Sequence, residues 1–187
     1  ACHYSRKAGE QAAAGFANDE ALAHFARALQ WLPLADAPAR FDVLLRCEAI
    51  HDLQGQHEKR RGDLDELEAL ARQMDEVALA QARVATRRAK LAIDGGDGAA
   101  ARVSAQRAIQ LIEADDQARA RACDLLVDAL LLDARAMFFA GEAAAARPQL
   151  DRALALAREH QYPRGEYHSL SRLGLLHWHA GDYLAAQ

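Results

Sequence analysis

The sequence feature that most restricts the fold is a helix-ending glycine that recurs about every 40 residues. Gly55, Gly96, Gly141 and Gly181 follow apolar stretches, at successive separations of 41, 45 and 40 residues. Glycine can end a helix there by adopting a left-handed conformation, and a second helix can begin after it. A period of this length predicts helix–turn–helix repeats that stack on one another to bury their apolar faces.

Small residues recur at fixed distances from these turns. They are Ala89, Ala134 and Gly174 seven residues before the glycine, Ala101, Ala146 and Ala186 five residues after it, and Ala108 and Ala153 twelve residues after it. An earlier repeat has its turn at residues 16–19, with Gly9 seven residues before Phe16 and Ala21 five residues after it. Because small side chains let paired helices approach closely, we expect these positions at helix–helix contacts.

The composition agrees with repeated helices. Of the 187 residues, 51% are hydrophobic and only 6% aromatic, and alanine, leucine and arginine, which favour helix, dominate. We therefore predict an all-α fold, a right-handed solenoid of antiparallel helix pairs that forms one domain, as a fragment of a longer protein. The predicted repeats cover residues 2–33, 36–74, 75–113, 115–160 and 163–187, the last of them truncated. In the fourth repeat, a long first helix should begin at Asp115 and Asp116 and end near Phe139, and the second should run from Glu142 to His160.

Several motifs within the repeats resemble the tetratricopeptide repeat (TPR). The resemblance rests on the small residues at fixed distances from the turns, on Gly-Asp-Tyr at residues 181–183, and on EALAHFARAL at residues 20–29 followed by Pro33. It implies a TPR-like solenoid that binds other proteins. The repeats exceed the usual length of about 34 residues and are similar to the helical arms of large bacterial ATPase-type transcription and cyclase regulators. The sequence departs from the pattern in the second repeat, where Glu48 and Arg60 replace small residues.

The motifs of enzymes and metalloproteins are incomplete in this sequence. Glu48 and His51 have the spacing of a di-iron ligand pair, but no second pair of this kind is present. His177 and His179 are two residues apart, so they would point to different sides of a helix. Residues 95–98, Gly-Gly-Asp-Gly, lack the Lys-Ser/Thr ending of a phosphate loop and are interpreted as a turn. We therefore predict no catalytic, cofactor-binding or metal-ligating residue, no cofactor and no enzymatic activity.

Charge and cysteine content restrict the partners and the compartment. The net charge of −4 argues against nucleic-acid binding, and no apolar run is long enough to span a membrane. Cys2, Cys47 and Cys123 are far apart, which argues against a disulfide framework and favours a reducing compartment. A cytoplasmic location is the expectation.

A row of basic and aromatic residues is predicted on the first helices of the repeats, which line the concave side in TPR-like stacks. These candidate partner-binding residues, which lie nine, six or three residues before a turn glycine, are Arg46, Arg87, Lys90, Arg135, Phe138, Arg172 and Trp178. Because arginine forms paired hydrogen bonds with carboxylates, the groove would suit an acidic protein or peptide. The alternative is a solvated face on which the arginine stems cover neighbouring residues.

The predicted function is a protein–protein interaction scaffold within a larger signalling or transcription regulator. The alternative is a sensor domain that binds a peptide or a small ligand in the concave groove. We also expect one apolar side of residues 170–179 to be uncovered, including Leu173, Leu176 or Trp178. Because terminal repeats normally need a polar cap, this end should self-associate or fray.

Overall fold

The structure, a computed structural model that describes residues 2–179, contains helices and connecting turns and no strand in that range. The helices are α1 (Cys2–Ala14), α2 (Asn18–Trp31), α3 (Ala37–Leu53), α4 (His57–Ala71), α5 (Val77–Asp94), α6 (Gly98–Glu113), α7 (Asp116–Arg121), α8 (Cys123–Phe139), α9 (Arg147–Glu159) and α10 (Pro163–His179), with a short 3-10 helix at Ala143–Ala146. The all-α prediction is confirmed. The predicted turn at Gly181 and the Gly-Asp-Tyr motif lie outside the described residues, as does Ala186.

The chain divides into two compact units, an N-terminal unit of Ala1–Val77 and a C-terminal unit of Ala78–Gln187. In the N-terminal unit, α2 packs against α1 and α3, and α3 packs against α4. Its core contains Ala21 and Phe25 from α2 together with Val43, Cys47 and Ile50 from α3. In the C-terminal unit, α8 packs against α6 and α9, and α10 packs against both α9 and α8.

The turns follow the predicted glycines. Gly55, Gly96 and Gly141 have φ angles of 67°, 77° and 75°, the left-handed conformation that glycine adopts without steric cost. Phe16 adopts the same conformation at φ 59°, so the first repeat forms its turn without a glycine. A further left-handed residue, Gln161 at φ 54°, lies between α9 and α10 and was not predicted.

The fourth repeat differs from its prediction in both helices. Its long first helix is interrupted at Ala122, which has φ −124° and ψ 38°, so α7 and α8 are separate. The interruption lets Ala118 and Ala122 pack with Leu79 of α5 in a small buried cluster. The predicted second helix begins as the 3-10 helix, and α9 starts only at Arg147 and ends at Glu159.

The small residues at fixed distances from the turns are buried. Seven of them have no exposed surface, namely Ala21, Ala89, Ala101, Ala108, Ala134, Ala146 and Ala153. Gly9 of α1 is also required, because a Cβ atom there would lie 2.6 Å from the ring of Phe25 on α2. Gly174 is only half-buried. The spacing of small residues therefore identifies helix–helix contacts in both units.

The charged replacements in the second repeat are partners of each other. Arg60 on α4 donates from Nε to Glu48 Oε1 on α3 at 3.0 Å, and its Nη1 lies 2.8 Å from Asp52 Oδ1. The side chains of Arg60 and Glu48 are 1% and 0% exposed. An ion pair thus occupies the position where other repeats have two small residues, such as Ala134 and Ala146.

The last described helix has one apolar side that is not covered. Trp178 is exposed, as are Leu170 and Leu175. Leu176 is buried and Leu173 partly buried, because both pack against the core of the C-terminal unit. Of the three residues named as alternatives, the uncovered one is therefore Trp178, and self-association through this end stays a prediction.

Candidate functional site

The predicted groove residues are divided between the two units. Arg46 is on α3 of the N-terminal unit, where its Nε lies 3.3 Å from Asp42 Oδ2 and its Nη2 lies 3.4 Å from Glu10 Oε1. The other six belong to the C-terminal unit, and they are Arg87 and Lys90 on α5, Arg135 and Phe138 on α8, and Arg172 and Trp178 on α10. Two carboxylates of its own unit therefore balance the charge of Arg46.

Within the C-terminal unit, the residues on α5 and Phe138 are half-buried. Lys90 lies 3.3 Å from Asp94, one helical turn further along α5. Arg87 is half-buried. Phe138 packs partly against the main core of the unit, so only part of its ring is available to a partner.

Arg135 and Arg172 lie on α8 and α10, two helices that pack against each other. On α8, Leu131 and Phe138 flank Arg135 and contact the main core of the C-terminal unit, and Leu173 and Leu176 beside Arg172 contact the same core from α10. Burial lowers the pKa of Arg172, and the positive charge of Arg135 lowers it further. Two guanidinium groups that remain protonated in proteins therefore lie close enough to repel each other.

No carboxylate neutralises these two charges within the part of the chain that the structure describes. Neither Arg135 nor Arg172 forms an ion pair there, and Nε of Arg172 is buried without a hydrogen-bond partner in the same residues. The Arg135 guanidinium lies over the ring of Phe139, at 5.9 Å from the ring centroid. The unpartnered Nε of Arg172 costs free energy, but it has no accessible surface, so a partner from outside cannot reach it in this conformation.

An open cavity of about 390 Å³ borders Arg172. It is lined along α10 by His168, Ser171, Arg172, Gly174, Leu175 and Trp178. Residues three or four positions apart share one face of a helix, which explains why the lining follows this spacing. Arg172 and Trp178 were predicted as groove residues from the sequence, whereas His168, Ser171 and Leu175 were not. The missed residues could have been found by extending the same helical face by one turn.

A separate buried carboxyl group lies on the core side of α8. Asp133 is fully buried, and Gln149 donates to its Oδ2 from 3.1 Å, while Oδ1 has no hydrogen bond of normal geometry among the described residues. Burial raises the pKa of Asp133, although the charge of Arg102 and the amides of Gln149 and Gln106 lower it. The group is inaccessible to a partner, so its consequences concern stability.

Replacing Asp133 by asparagine is expected to stabilise the protein at neutral pH. Because the native pKa of Asp133 exceeds its unfolded value of about 3.9, the contribution of this group to stability is full below that pH and is lost as the pH rises through the native pKa. Asparagine resembles the protonated acid and removes this loss. In thermal melts, the Asp133→Asn protein should melt at a higher temperature than the parent, and this difference should grow between pH 4 and pH 7.

The matched control is Asp151→Asn on α9, which changes an exposed carboxylate paired with Arg147. That variant should melt without the same growing difference. An Asp133→Asn protein that melts lower than the parent at pH 7 would contradict the role of burial.

In the N-terminal unit, a thiol, an imidazole and a carboxylate lie near one another. Nδ1 of His51 is 2.6 Å from Asp63 Oδ2, and Cys47 is one helical turn before His51 on α3. Burial raises the pKa of Cys47 to about 12, with further increases from the charges of Asp63 and Glu66. The thiol is therefore protonated at neutral pH and is a poor nucleophile, since the thiolate is the reactive form.

The described residues contain neither a group of potential metal ligands nor a helix suited to a membrane. In residues 2–179, no three His, Cys, Asp or Glu side chains are placed to share a metal ion. Over the same range, none of the helices combines the length and the apolar character needed to cross a bilayer. No protein-family model matches the chain, and no curated protein matches it. The basis for a functional proposal is therefore the geometry of α8 and α10.

Proposed function

We propose that this chain is a protein–protein interaction module that binds an acidic segment of a partner. In this proposal the helices form a TPR-like right-handed solenoid of antiparallel pairs, within a larger bacterial signalling or transcription regulator of the cytoplasm. The single observation that supports it most is that Arg135 and Arg172, on two helices that pack together, form no ion pair with a carboxylate of the described residues. An acidic partner would balance these two positive charges.

The contrast with other arginines strengthens this proposal. Several exposed arginines elsewhere pair with a glutamate on the same or a neighbouring helix, as Arg61 does with Glu58, Arg72 with Glu68 and Arg158 with Glu166. Such pairs satisfy the guanidinium locally and contribute little to stability. Arg135 and Arg172 lie on first helices of predicted repeats, where the TPR-like arrangement would direct them toward the groove.

Charge reversal at two groove positions tests the proposal. We expect Arg87→Glu combined with Arg135→Glu to weaken binding of a fluorescein-labelled, Glu- and Asp-rich peptide by about tenfold or more, because carboxylates would then face each other across the interface. Fluorescence anisotropy measures this affinity, and added salt should also lower it for the parent protein.

A control variant separates the effect of charge reversal in the groove from the effect of a changed net charge. Arg107→Glu combined with Arg147→Glu changes the net charge by the same amount at exposed positions on α6 and α9. This control should bind the acidic peptide nearly as well as the parent. Equal losses for both variants, or tighter binding of a Lys-rich peptide of the same length, would contradict an acid-selective groove.

A second candidate function is a sensor for a small ligand, which the open cavity beside α10 favours. A volume of about 390 Å³ is within the range of small-molecule sites, roughly 300–1,000 Å³. A sensor should be stabilised by a small carboxylic acid such as phenylacetate, as seen by a higher melting temperature. An interaction module should respond to the peptide and not to the small acid.

A further inference from the structure

We infer that Tyr162 is a latch that holds α10 on α8 against the strain of the turn between α9 and α10. Tyr162 lies in that turn, and its side chain contacts both α8 and α10. Because α10 carries Arg172 and Trp178 of the predicted groove, release of the latch would dissolve that part of the groove. This control of binding rests on the proposed function, whereas the latch itself does not depend on it.

The hydroxyl group of Tyr162 is the polar part of the latch. It donates to Oδ1 of Asp128 on α8 at 3.1 Å, and both residues are half-buried. Burial raises the pKa of Asp128, and the charge of Asp124 adds to this, whereas the hydrogen bond from Tyr162 and the charges of Arg164 and His168 lower it. Burial raises the pKa of Tyr162 to about 12, so the hydroxyl group keeps its proton at neutral pH. A donor to a carboxylate forms one of the stronger hydrogen bonds in proteins.

The ring of Tyr162 is the apolar part of the latch. It packs against the main core of the C-terminal unit. A Cβ atom at Gly165 would lie 2.5 Å from Cδ1 of this ring and 2.7 Å from Cγ1 of Val127 on α8. The absence of a side chain at Gly165 therefore lets the start of α10 approach the ring and α8 together.

The first half of α10 depends on this ring because its own side chains bury little apolar surface. In residues 163–170 the buried residues are Gly165 and Ser169, and neither has a large side chain. Tyr167 is 67% exposed and Leu170 is 45% exposed. The leucines of α10 that contact the core lie in its second half. The anchor of the first half is therefore a residue that precedes the helix.

The turn that carries the latch is strained. Gln161 has φ 54°, the left-handed conformation that glycine adopts at three other turns. A Cβ atom makes this conformation unfavourable, so a glutamine remains in it only where its surroundings hold it there. The backbone amide of Tyr162 donates to the carbonyl oxygen of Ala157 at 2.8 Å, which is one such constraint. The strain favours a rearranged turn, and the contacts of Tyr162 oppose it.

Amide hydrogen exchange followed by NMR tests the latch on the full chain. Tyr162→Phe keeps the ring and removes the hydroxyl group, so it should speed exchange of the amides of residues 167–176 about tenfold. Amides of α6 should change by less than about twofold, because release of α10 leaves α6 in place. The matched control is Tyr167→Phe, which removes the hydroxyl group of an exposed tyrosine on α10 and should leave exchange unchanged.

Two results would overturn the latch. Equal acceleration of exchange in all helices of the C-terminal unit would mean that Tyr162 contributes only to global stability. In NMR titrations of the carboxyl carbons, the pKa of Asp128 should be higher in Tyr162→Phe than in the parent, because the hydrogen bond that lowers it is lost. It should be unchanged in Tyr167→Phe. An equal pKa of Asp128 in Tyr162→Phe and the parent would mean that the hydroxyl group does not hold α8.

A second variant acts in the opposite direction. Gln161→Gly should slow exchange of the same α10 amides about threefold, because glycine adopts the left-handed conformation without steric cost. Exchange that is as fast as in the parent, or faster, would contradict the strain in the turn.

The Glu- and Asp-rich peptide connects the latch to the groove. At a free concentration about tenfold above its Kd, the peptide should slow exchange of the α10 amides of the parent about tenfold, because it binds only while α10 is docked. A peptide that binds without protecting α10 would contradict the control of binding and leave the latch intact. If the peptide does not bind the parent, the proposed function fails, and the Tyr162→Phe result still decides the latch.

Discussion

Replacing Arg60 by alanine is expected to lower the free energy of unfolding by about 3–5 kcal/mol, the range found when one partner of a buried ion pair is removed. The change would leave the carboxylate of Glu48 fully buried without its cation, and would also deprive Asp52 of the contact at 2.8 Å. A buried charge without a partner costs far more than the pair contributes when it is intact. Urea unfolding followed by circular dichroism measures the loss.

The adjacent residue provides a matched control. Arg61 is also on α4 and pairs with Glu58, but its side chain is 57% exposed. Arg61→Ala should therefore cost at most about 1 kcal/mol, as exposed pairs do. If Arg60→Ala is as mild as Arg61→Ala, the pair is not buried as the structure describes.

A double-mutant cycle separates the pair from its surroundings. Glu48→Ala combined with Arg60→Ala places alanine at both positions. The fourth repeat has alanine at the corresponding positions, Ala134 and Ala146. The double variant should lose less stability than the sum of the two single losses, because neither charge is then left alone. An additive result would mean that Glu48 and Arg60 act independently.

Replacing Ala146 by leucine is expected to cost about 1–3 kcal/mol, because the larger side chain must enter a core that is already filled. Ala146 has no exposed surface and packs with Leu150 and the residues of α8 in the main core of the C-terminal unit. Denaturant midpoints measure the effect.

The neighbour Ala145 is the control for this substitution. It belongs to the same 3-10 helix and is exposed, so Ala145→Leu should change stability by no more than about 0.5 kcal/mol. An unchanged midpoint for Ala146→Leu would remove the evidence that small residues five positions after the turn glycine mark tight contacts.

Local features of the fold were predictable because they depend on residues near each other in sequence. A glycine such as Gly96 ends a helix through its own backbone freedom, and Asp97 caps the next helix by accepting from the amide of Ala100 at 2.9 Å. The same holds for Asp36, which accepts from the amide of Ala39 before the proline of the first turn of α3. These local signals therefore located the turns at Gly55, Gly96 and Gly141, although α9 starts only at Arg147, several residues after Gly141.

The break at Ala122 was not predictable in this way. Alanine is the strongest helix former, so nothing in the local sequence indicates an interruption. At the break, Ala122 packs with Leu79, which is distant along the chain. Tertiary packing overrides helix propensity at this position.

The candidate site depends on contacts between helices, and the sequence predicted it only in part. Arg135 and Arg172 were selected at different distances from their turns, six and nine residues. Their proximity requires the relative shift of α8 and α10 along their axes, which the repeat spacing alone does not specify. The pairing of Glu48 with Arg60 was missed for the same reason, although both residues were recognised as departures from the repeat pattern.

The packing of each helix on near neighbours has a consequence for the speed of folding. In the C-terminal unit, the side-chain bonds that join successive repeats, from Arg102 to Glu142 and from Glu113 to Arg152, span only 40 and 39 residues. Closing a loop of this length costs roughly 3 kcal/mol of chain entropy, less than a contact between the ends of the chain would cost, and folding is faster when contacts are more local. An additional repeat would lengthen the chain without lengthening these loops, so the rate-limiting step should involve one helix pair and its neighbour and remain nearly independent of total length.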